Sequence, residues 1–230
     1  MTTRNSEFAT VFGALGDIHG DFAAVRRIME RHAEVPFWLC VGDVATVDGQ
    51  YQPLPSPLYF IKGNNENFDT LATRDLPPNL RYLPNGQRTT INELRVVGLG
   101  GTHAPTMYDV PAADLPHPKK STRKATEAAD RRRHFVREEV EACKQLRDVD
   151  VFLSHEAPRP FRVGHGIDAG KTPINEVLAA MQPRIHLFGH HHRFSAGISQ
   201  GVGSICLDAV GVSYLLFDAK SLKYEHLPVD

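Results

Sequence analysis

The sequence has no apolar run long enough to cross a bilayer, which excludes a membrane-spanning helix. It has no excess of either charge. Lys and Arg number 26 against 27 Asp and Glu, so no global basic field marks a nucleic-acid binder, although a nucleic-acid substrate stays open. Cysteine is scarce: Cys40, Cys143 and Cys206 are an odd, scattered set, each in an apolar stretch. That excludes a disulfide framework and suggests buried thiols in a reducing compartment. Residues 1–10 are polar and lack the apolar core of a signal peptide. A soluble, cytoplasmic protein is expected, with no membrane partner. No internal repeat and no linker interrupts the chain, so one domain over residues 1–230 is expected, long enough for a sizeable core.

Histidine is plentiful, at twelve. Many of these residues fall in five short pieces that carry good metal donors: Asp17-Ile18-His19-Gly20, Gly42-Asp43-Val44, Gly63-Asn64-Asn65-Glu66, Ser154-His155-Glu156 and Gly189-His190-His191-His192. Each follows a short apolar run that reads as a buried strand. The polar residues would then gather where strands end, which is where open α/β sheets bind ligands.

The first half reads as alternating strand and helix: strand 11–16, helix 22–35, strand 37–41 and strand 58–61, with a Pro-punctuated loop at 48–57. Residues 89–99 read as two strands turning near Asn92-Glu93. A long helix is expected over 126–147, then a strand at 149–153. A helix at 172–181 should have Thr172 as its cap and Pro173 first inside. The tail, 184–227, reads as mostly β, with strands at 184–188, 204–207 and 212–217 and another around Ile198. The expected class is α/β, two layers of sheet covered by helices.

In an extended segment alternate residues point the same way, so Asp17 with His19, and His190 with His192, would each aim two ligands at one place. Asp43 adds a carboxylate that could bridge two ions, Asn64 an amide oxygen and His155 a further nitrogen. Oxygen and nitrogen donors without thiolate suit Mn foremost, and also Fe, Zn, Co or Ni. Seven ligands are too many for one ion and about right for two. Two divalent ions about 4 Å apart can share a hydroxide, hold a phosphate oxygen and offset charge on a leaving oxygen. An anionic ester is the natural guest.

The set resembles the calcineurin-like metallophosphoesterases, whose pattern is D-x-H, G-D, G-N-H-[DE], a lone His after a strand, and G-H-x-H. Order and spacing agree from residue 17 to residue 192. The resemblance implies a sandwich of two mixed β-sheets flanked by α-helices. It implies that Asp17, His19 and His192 hold one ion, that Asn64, His155 and His190 hold the other, and that Asp43 bridges. A metal-bridging hydroxide would attack phosphorus.

One departure matters: Asn65 stands where the family pattern has the His usually assigned to protonate the leaving group or steady the phosphate. An amide donates a hydrogen bond but cannot act as a general acid near neutral pH. Small phosphodiesterases of this superfamily also lack that His and favour diesters, so a phosphodiesterase is the expected activity, with Asn65 at the catalytic position. The retromer subunit that keeps this fold as a scaffold lacks it too, which leaves a catalytically weak binding module as an alternative. A phosphomonoesterase or protein phosphatase is the other. Gly16-Asp17-Ile18-His19-Gly20 is similar to the Ser/Thr phosphatases, but the Arg they carry soon after the second aspartate is absent from Val44-Ala45-Thr46-Val47. A further similarity, from Gly98-Leu99-Gly100-Gly101 through residues 131–153 into Ser154-His155-Glu156-Ala157-Pro158, is to RNA lariat debranching enzymes. Those have Cys at the position of Asp17 and keep the His at the position of Asn65.

His103 and His165 lie in Gly-containing loops, and either could contact substrate and supply the missing acid. His191, between two expected ligands, should face away. The basic residues Lys119, Lys120, Arg123, Lys124 and Arg131-Arg132-Arg133 are interspersed with Glu127, Asp130, Glu138 and Glu139, and read as a solvated face.

Overall fold

The computed structural model describes residues 11–116 and 130–229. In chain order, β1 (Val11–Leu15), α1 (Phe22–Arg31), β2 (Trp38–Cys40), β3 (Leu58–Phe60), α2 (Phe68–Thr73) and β4 (Leu80–Tyr82) come first. A hairpin of β5 (Arg88–Ile91) and β6 (Leu94–Leu99) follows, then β7 (Thr102–His103), β8 (His134–Phe135) and α3 (Arg137–Lys144). Next are β9 (Val151–Ser154), the short pair β10 (Arg162–Val163) and β11 (Ile167–Asp168), α4 (Thr172–Met181) and β12 (Ile185–Phe188). The chain closes with β13 (Ser195–Ser199), β14 (Val202–Cys206), β15 (Ser213–Asp218) and β16 (Tyr224–Pro228).

Two six-stranded sheets result, ordered β16-β15-β1-β2-β3-β4 and β13-β14-β12-β9-β6-β5. Strands β1 to β4 are parallel, β15 lies antiparallel to β1, and the edge strand β16 lies antiparallel to β15. In the other sheet β14, β12, β9 and β6 are parallel, with antiparallel β13 and β5 at the edges. Both sheets are mixed and helices flank them, the expected sandwich.

Alternation along the strands builds the layers. Phe12, Ala14, Leu39 and Val41 face Val96, Val151, Leu153 and Leu187 of the other sheet in one central core. Leu15, Trp38, Cys40 and Phe60 point the opposite way, onto Phe22, Val25, Ile28 and Met29 of α1. The outer face of the second sheet, through Val97, Leu99 and Phe152, meets Val140, Cys143, Ile174, Val177 and Leu178 of α3 and α4. Both sheets are therefore covered on both sides, which is why their central strands read as continuous apolar runs. The three cysteines are buried free thiols. Among the described residues no helix is long and apolar enough to cross a membrane.

Some expected boundaries move. Helix α1 ends at Arg31, and the chain then turns so that Val35 and Phe37 still reach the core. Among the described residues, the long helix expected over 126–147 is a helix only from Arg137 to Lys144; residues 126–129 lie outside the described segments. The physical reason is Lys62. Its buried ammonium donates to the carbonyls of Arg132 and His134, both at 2.9 Å, which a continuous helix would have spent on its own amides. His134 and Phe135 instead pair in parallel with Thr102 and His103. Helix α4 begins one residue early, with Lys171 as its N-cap and Thr172 already helical. The hairpin turn does fall at Asn92-Glu93, both at positive φ (43° and 72°), as a tight two-residue turn needs.

Candidate metal centre

All five donor pieces sit just beyond the carboxyl ends of parallel strands: Asp17 after β1, Asp43 after β2, Asn64 after β3, His155 after β9 and His190 after β12. The first sheet thus contributes Asp17, His19, Asp43 and Asn64, and the second His155, His190 and His192. The pleat does not bring them together, contrary to the expectation of extended D-x-H and H-x-H segments. His19, Asp43, His190 and His192 all have left-handed backbones, with φ of 47°, 53°, 69° and 48°. Such conformations in non-glycine residues cost about 1–3 kcal/mol each, and persist where the surrounding structure over-determines them. The turns reverse the chain at each strand end, so the donors fold back over the sheets' edge.

Two donor groups converge. Asp17, His19 and His192 form one; Asp17, Asp43 and His155 form another. His192 Nε2 lies 2.8 Å from Asp17 Oδ2 and 3.0 Å from His19 Nε2. Asp43 Oδ2 lies between the groups, 3.8 Å from His19 Nε2 and 3.7 Å from His155 Nε2. Asn64 Oδ1 is 3.1 Å from His155 Nε2, and the His190 ring is 4.9 Å from the His155 ring. The His190 backbone amide also donates to both Asp17 oxygens, at 3.1 and 3.0 Å. Glycine allows this density: a Cβ on Gly63 would stand 1.9 Å from Asp43 Oδ1.

The donor chemistry calls for cations. Asp17, Asp43 and His155 are 1%, 1% and 0% exposed, yet the ion-pair partners of both carboxylates among the described residues are histidines, with no Lys or Arg. Buried carboxylates are stable when paired or metal-bound. His155 makes the same demand. Its Nδ1 is 2.8 Å from the Val41 carbonyl, which can only accept, so Nδ1 carries the hydrogen. Nε2 of the neutral ring then presents a lone pair to the Asn64 oxygen, and two lone pairs this close need a proton or a cation between them. This is also the second-sphere arrangement that orients a metal-binding imidazole.

Titration follows from the same geometry. Burial alone would raise the Asp17 carboxyl, but the His192 hydrogen bond, the His155 charge and the His190 amide outweigh it and hold the group below its ordinary value. Burial alone would depress His155, but Asp17 and Asp43 outweigh it and raise it. The hydrogen bond to Asp17 raises His192. Burial, helped by the neighbouring His155, lowers His190 to about 4.

Asn65 is occupied differently from a free catalytic group. Its backbone amide donates to Asp43 Oδ1 at 2.8 Å and its side-chain amide to Oδ2 at 2.9 Å, so it fixes the orientation of the central carboxylate. Glu66, quoted in the sequence pattern without a role, is a structural cross-link. It accepts from the amides of Gly63, Val44 and Ala45 and from the Tyr51 hydroxyl, joining the Asp43 and Asn64 loops, and burial raises it to about 7. The signal available was the carboxylate itself, beside two glycine loops with free amides.

A cavity of about 620 Å³ opens beside the donors, lined among others by His19, Asn64, Asn65, Thr46, Phe68 and Arg133. His103 and His165 are not among its lining residues. His103 packs its ring on Tyr108 and Phe135, with centroids 5.0 and 5.7 Å away, and His165 sits exposed in a short turn at positive φ. His191 does turn away from the donors, packing 4.6 Å from the Phe161 ring. Of the basic residues expected to form a solvated face, Lys119, Lys120, Arg123 and Lys124 lie outside the described segments. Arg132 is paired to Asp69 and Asp130, and Arg133 reaches the cavity.

Comparison with known proteins agrees with the fold. The family model for calcineurin-like phosphoesterases matches residues 10–194. Among solved structures, TT1561 of Thermus thermophilus is 14% identical with a TM-score of 0.63, over 96% of this chain and 99% of that one. The calcineurin-like phosphoesterase YfkN from Bacillus subtilis is 12% identical with a TM-score of 0.51, over 96% and 90%. Identities this low carry the fold alone. No curated protein sequence matches the chain.

Proposed function

The chain belongs to the calcineurin-like phosphoesterase family, whose members use divalent metals on phosphate esters, and from that premise we propose that it is a dinuclear phosphodiesterase. Asp17, His19 and His192 hold one ion, Asn64, His155 and His190 the other, and Asp43 is shared; Mn²⁺ is the favoured metal. Two such ions, when bound, supply Lewis acidity toward the phosphoryl oxygens and an acidified water as nucleophile. The observation that carries the reading is the burial of two carboxylates whose only ionic partners among the described residues are imidazoles.

The protein's own groups set the geometry. Asn65 locks both oxygens of Asp43, which fixes where a shared ligand must lie. Val41 holds the His155 ring in the tautomer that leaves Nε2 available. His190 contributes its amide to Asp17 as well as its ring to the cluster, so the last donor loop is tied to the first.

The preference for diesters rests on Asn65. Its amide carries no dissociable proton near neutral pH and already donates to Asp43, so it gives no acid to a leaving alkoxide. Esters with good leaving groups should react best. The test is hydrolysis of bis(p-nitrophenyl) phosphate and p-nitrophenyl phosphate by metal-stripped protein, with and without Mn²⁺. Mn-dependent turnover favouring the diester is expected. Preference for the monoester would reverse the substrate class, and no turnover of either with metal bound would leave a binding module.

A further inference from the structure

The proposed phosphodiesterase reading leaves one cavity-lining cation without a role. Arg133 lines the cavity beside His19, Asn64 and Asn65, and its guanidinium is the one fixed positive charge there among the described residues. Its Nε is buried with no hydrogen-bond partner among those residues, an expensive condition for a charged donor. Its neighbours are not in this state. Arg132 takes both oxygens of Asp130 and reaches Asp69 at 2.9 Å, so the carboxylate nearest in sequence is already consumed.

The backbone that presents Arg133 is built rather than incidental. Lys62, two residues before Asn64, clamps the carbonyls on either side of it, Arg132 and His134, both at 2.9 Å. The Lys62 carbonyl in turn accepts from the Gly101 amide at 2.7 Å. Gly101 sits at φ +92°, and a Cβ there would stand 2.5 Å from the Arg133 carbonyl, so this segment is pressed against the end of β6. The buried Lys62 side chain also reaches Glu139 of α3 at 3.9 Å, which ties the clamp to that helix. One lysine thus couples the loop that carries Asn64 to the segment that carries Arg133.

We propose that Arg133 is a substrate-binding residue that takes phosphate oxygens of the ester in this cavity, and that Lys62 is its positioning residue. A guanidinium fork matches phosphate geometry, and a cavity of about 620 Å³ is large enough for a nucleotide-sized ester. The oxygens come either from the scissile phosphate or from a second phosphate on the same substrate. The p-nitrophenyl ester of thymidine 5′-phosphate, with and without a 3′-phosphate, distinguishes the two.

Arg133→Gln should raise KM by about tenfold or more, with Arg133→Lys between it and the wild type because an ammonium cannot fork. An equal rise on both esters assigns Arg133 to the scissile phosphate; a rise mainly on the 3′-phosphorylated ester assigns it to the second one. Lys62→Met should give the same pattern and add nothing in the Arg133→Gln background. Unchanged KM on both esters, or a loss confined to kcat, overturns the assignment. If the wild type turns over neither ester, the phosphodiesterase reading fails by itself. Calorimetric binding of thymidine 3′,5′-bisphosphate to the Mn-loaded protein then still decides about Arg133. About tenfold weaker binding by Arg133→Gln upholds it, and equal binding rejects it.

Discussion

The two ends of β9 carry buried carboxylates in opposite states. At its start, Asp150 is 5% exposed and takes Arg95 through Nε at 2.8 Å and Nη2 at 3.1 Å, the Arg95 amide at 2.9 Å, and Arg184 at 3.2 Å. At its finish, His155 faces Asp17 and Asp43, which are more deeply buried and whose ionic partners among the described residues are imidazoles alone. One cluster closes on itself with permanent cations from the chain. The other is assembled from donors whose shared need is a cation from outside. A closed cluster stabilises the fold; an open one must be held in place by it. The left-handed turns at His19, Asp43, His190 and His192 all fall at the open end.

The comparison breaks most visibly at Asp43. Asp43→Asn keeps the shape and one of the two hydrogen bonds from Asn65, since an amide has a single accepting oxygen, while removing the charge proposed to be shared. A loss of at least about a thousandfold in kcat/KM is expected, equivalent to about 4 kcal/mol of barrier. The thermal midpoint should rise with Mn²⁺ in the wild type and much less in the variant, because ligand binding to the native state raises apparent stability. A variant with full Mn-dependent activity would remove Asp43 from the shared position.

At the closed end the expected effect is on folding, not on metal. Asp150→Asn should lower stability by about 2 kcal/mol, a figure kept modest because both arginines are partly in water. The Mn²⁺ response should be retained. The Arg95 hydrogen bonds hold the Asp150 carboxyl at about 2, below the ordinary value near 3.9. Its contribution is therefore complete above about pH 4 and disappears as pH falls from there toward 2. Denaturant midpoints for wild type and variant should converge over that range; a constant gap down to pH 2 would mean that the ion pairs do not carry the difference.

Much of the open end was legible in the sequence because its donors follow apolar runs, and buried parallel strands must end where their ligands begin. The alternation of Phe12 and Ala14 against Leu15 likewise announced two covered sheet faces. What the sequence did not disclose depends on contacts between distant residues. Nothing local to residues 130–136 says that Lys62 will donate to the Arg132 and His134 carbonyls and prevent helix there. Nothing in the pleat predicts left-handed turns at His19, Asp43, His190 and His192, since side chains at those positions disfavour them and only the assembled cluster imposes them. Asn65 was legible as a missing acid but not as a clamp, because the carboxylate it holds is 22 residues away.

A second pair sharpens the contrast with histidines on neighbouring strands. His186 on β12 is fully buried, like His155, but both its nitrogens face hydroxyls that can adapt, Ser154 Oγ at 2.8 Å and Ser204 Oγ at 3.1 Å. Its ring lies between Phe152 and Phe188, with centroids 5.1 and 5.2 Å away, so no carboxylate offsets the cost of charging it. Burial therefore depresses His186 to about 3, whereas the carboxylates beside His155 raise that residue. The consequence has a definite sign. Above the unfolded value near 6.5 both states are neutral and the full contribution is present; below it the unfolded chain takes a proton that the native ring refuses. Stability should fall by about 1 kcal/mol between pH 7 and 5.5 on account of this one group. Denaturant midpoints at the two pH values, measured for the wild type and for His186→Gln, isolate that share, because the other histidines titrate in both proteins. An identical pH dependence in the two would mean that His186 accepts its proton in the fold, and that burial among hydroxyls does not by itself distinguish a closed histidine from a ligand.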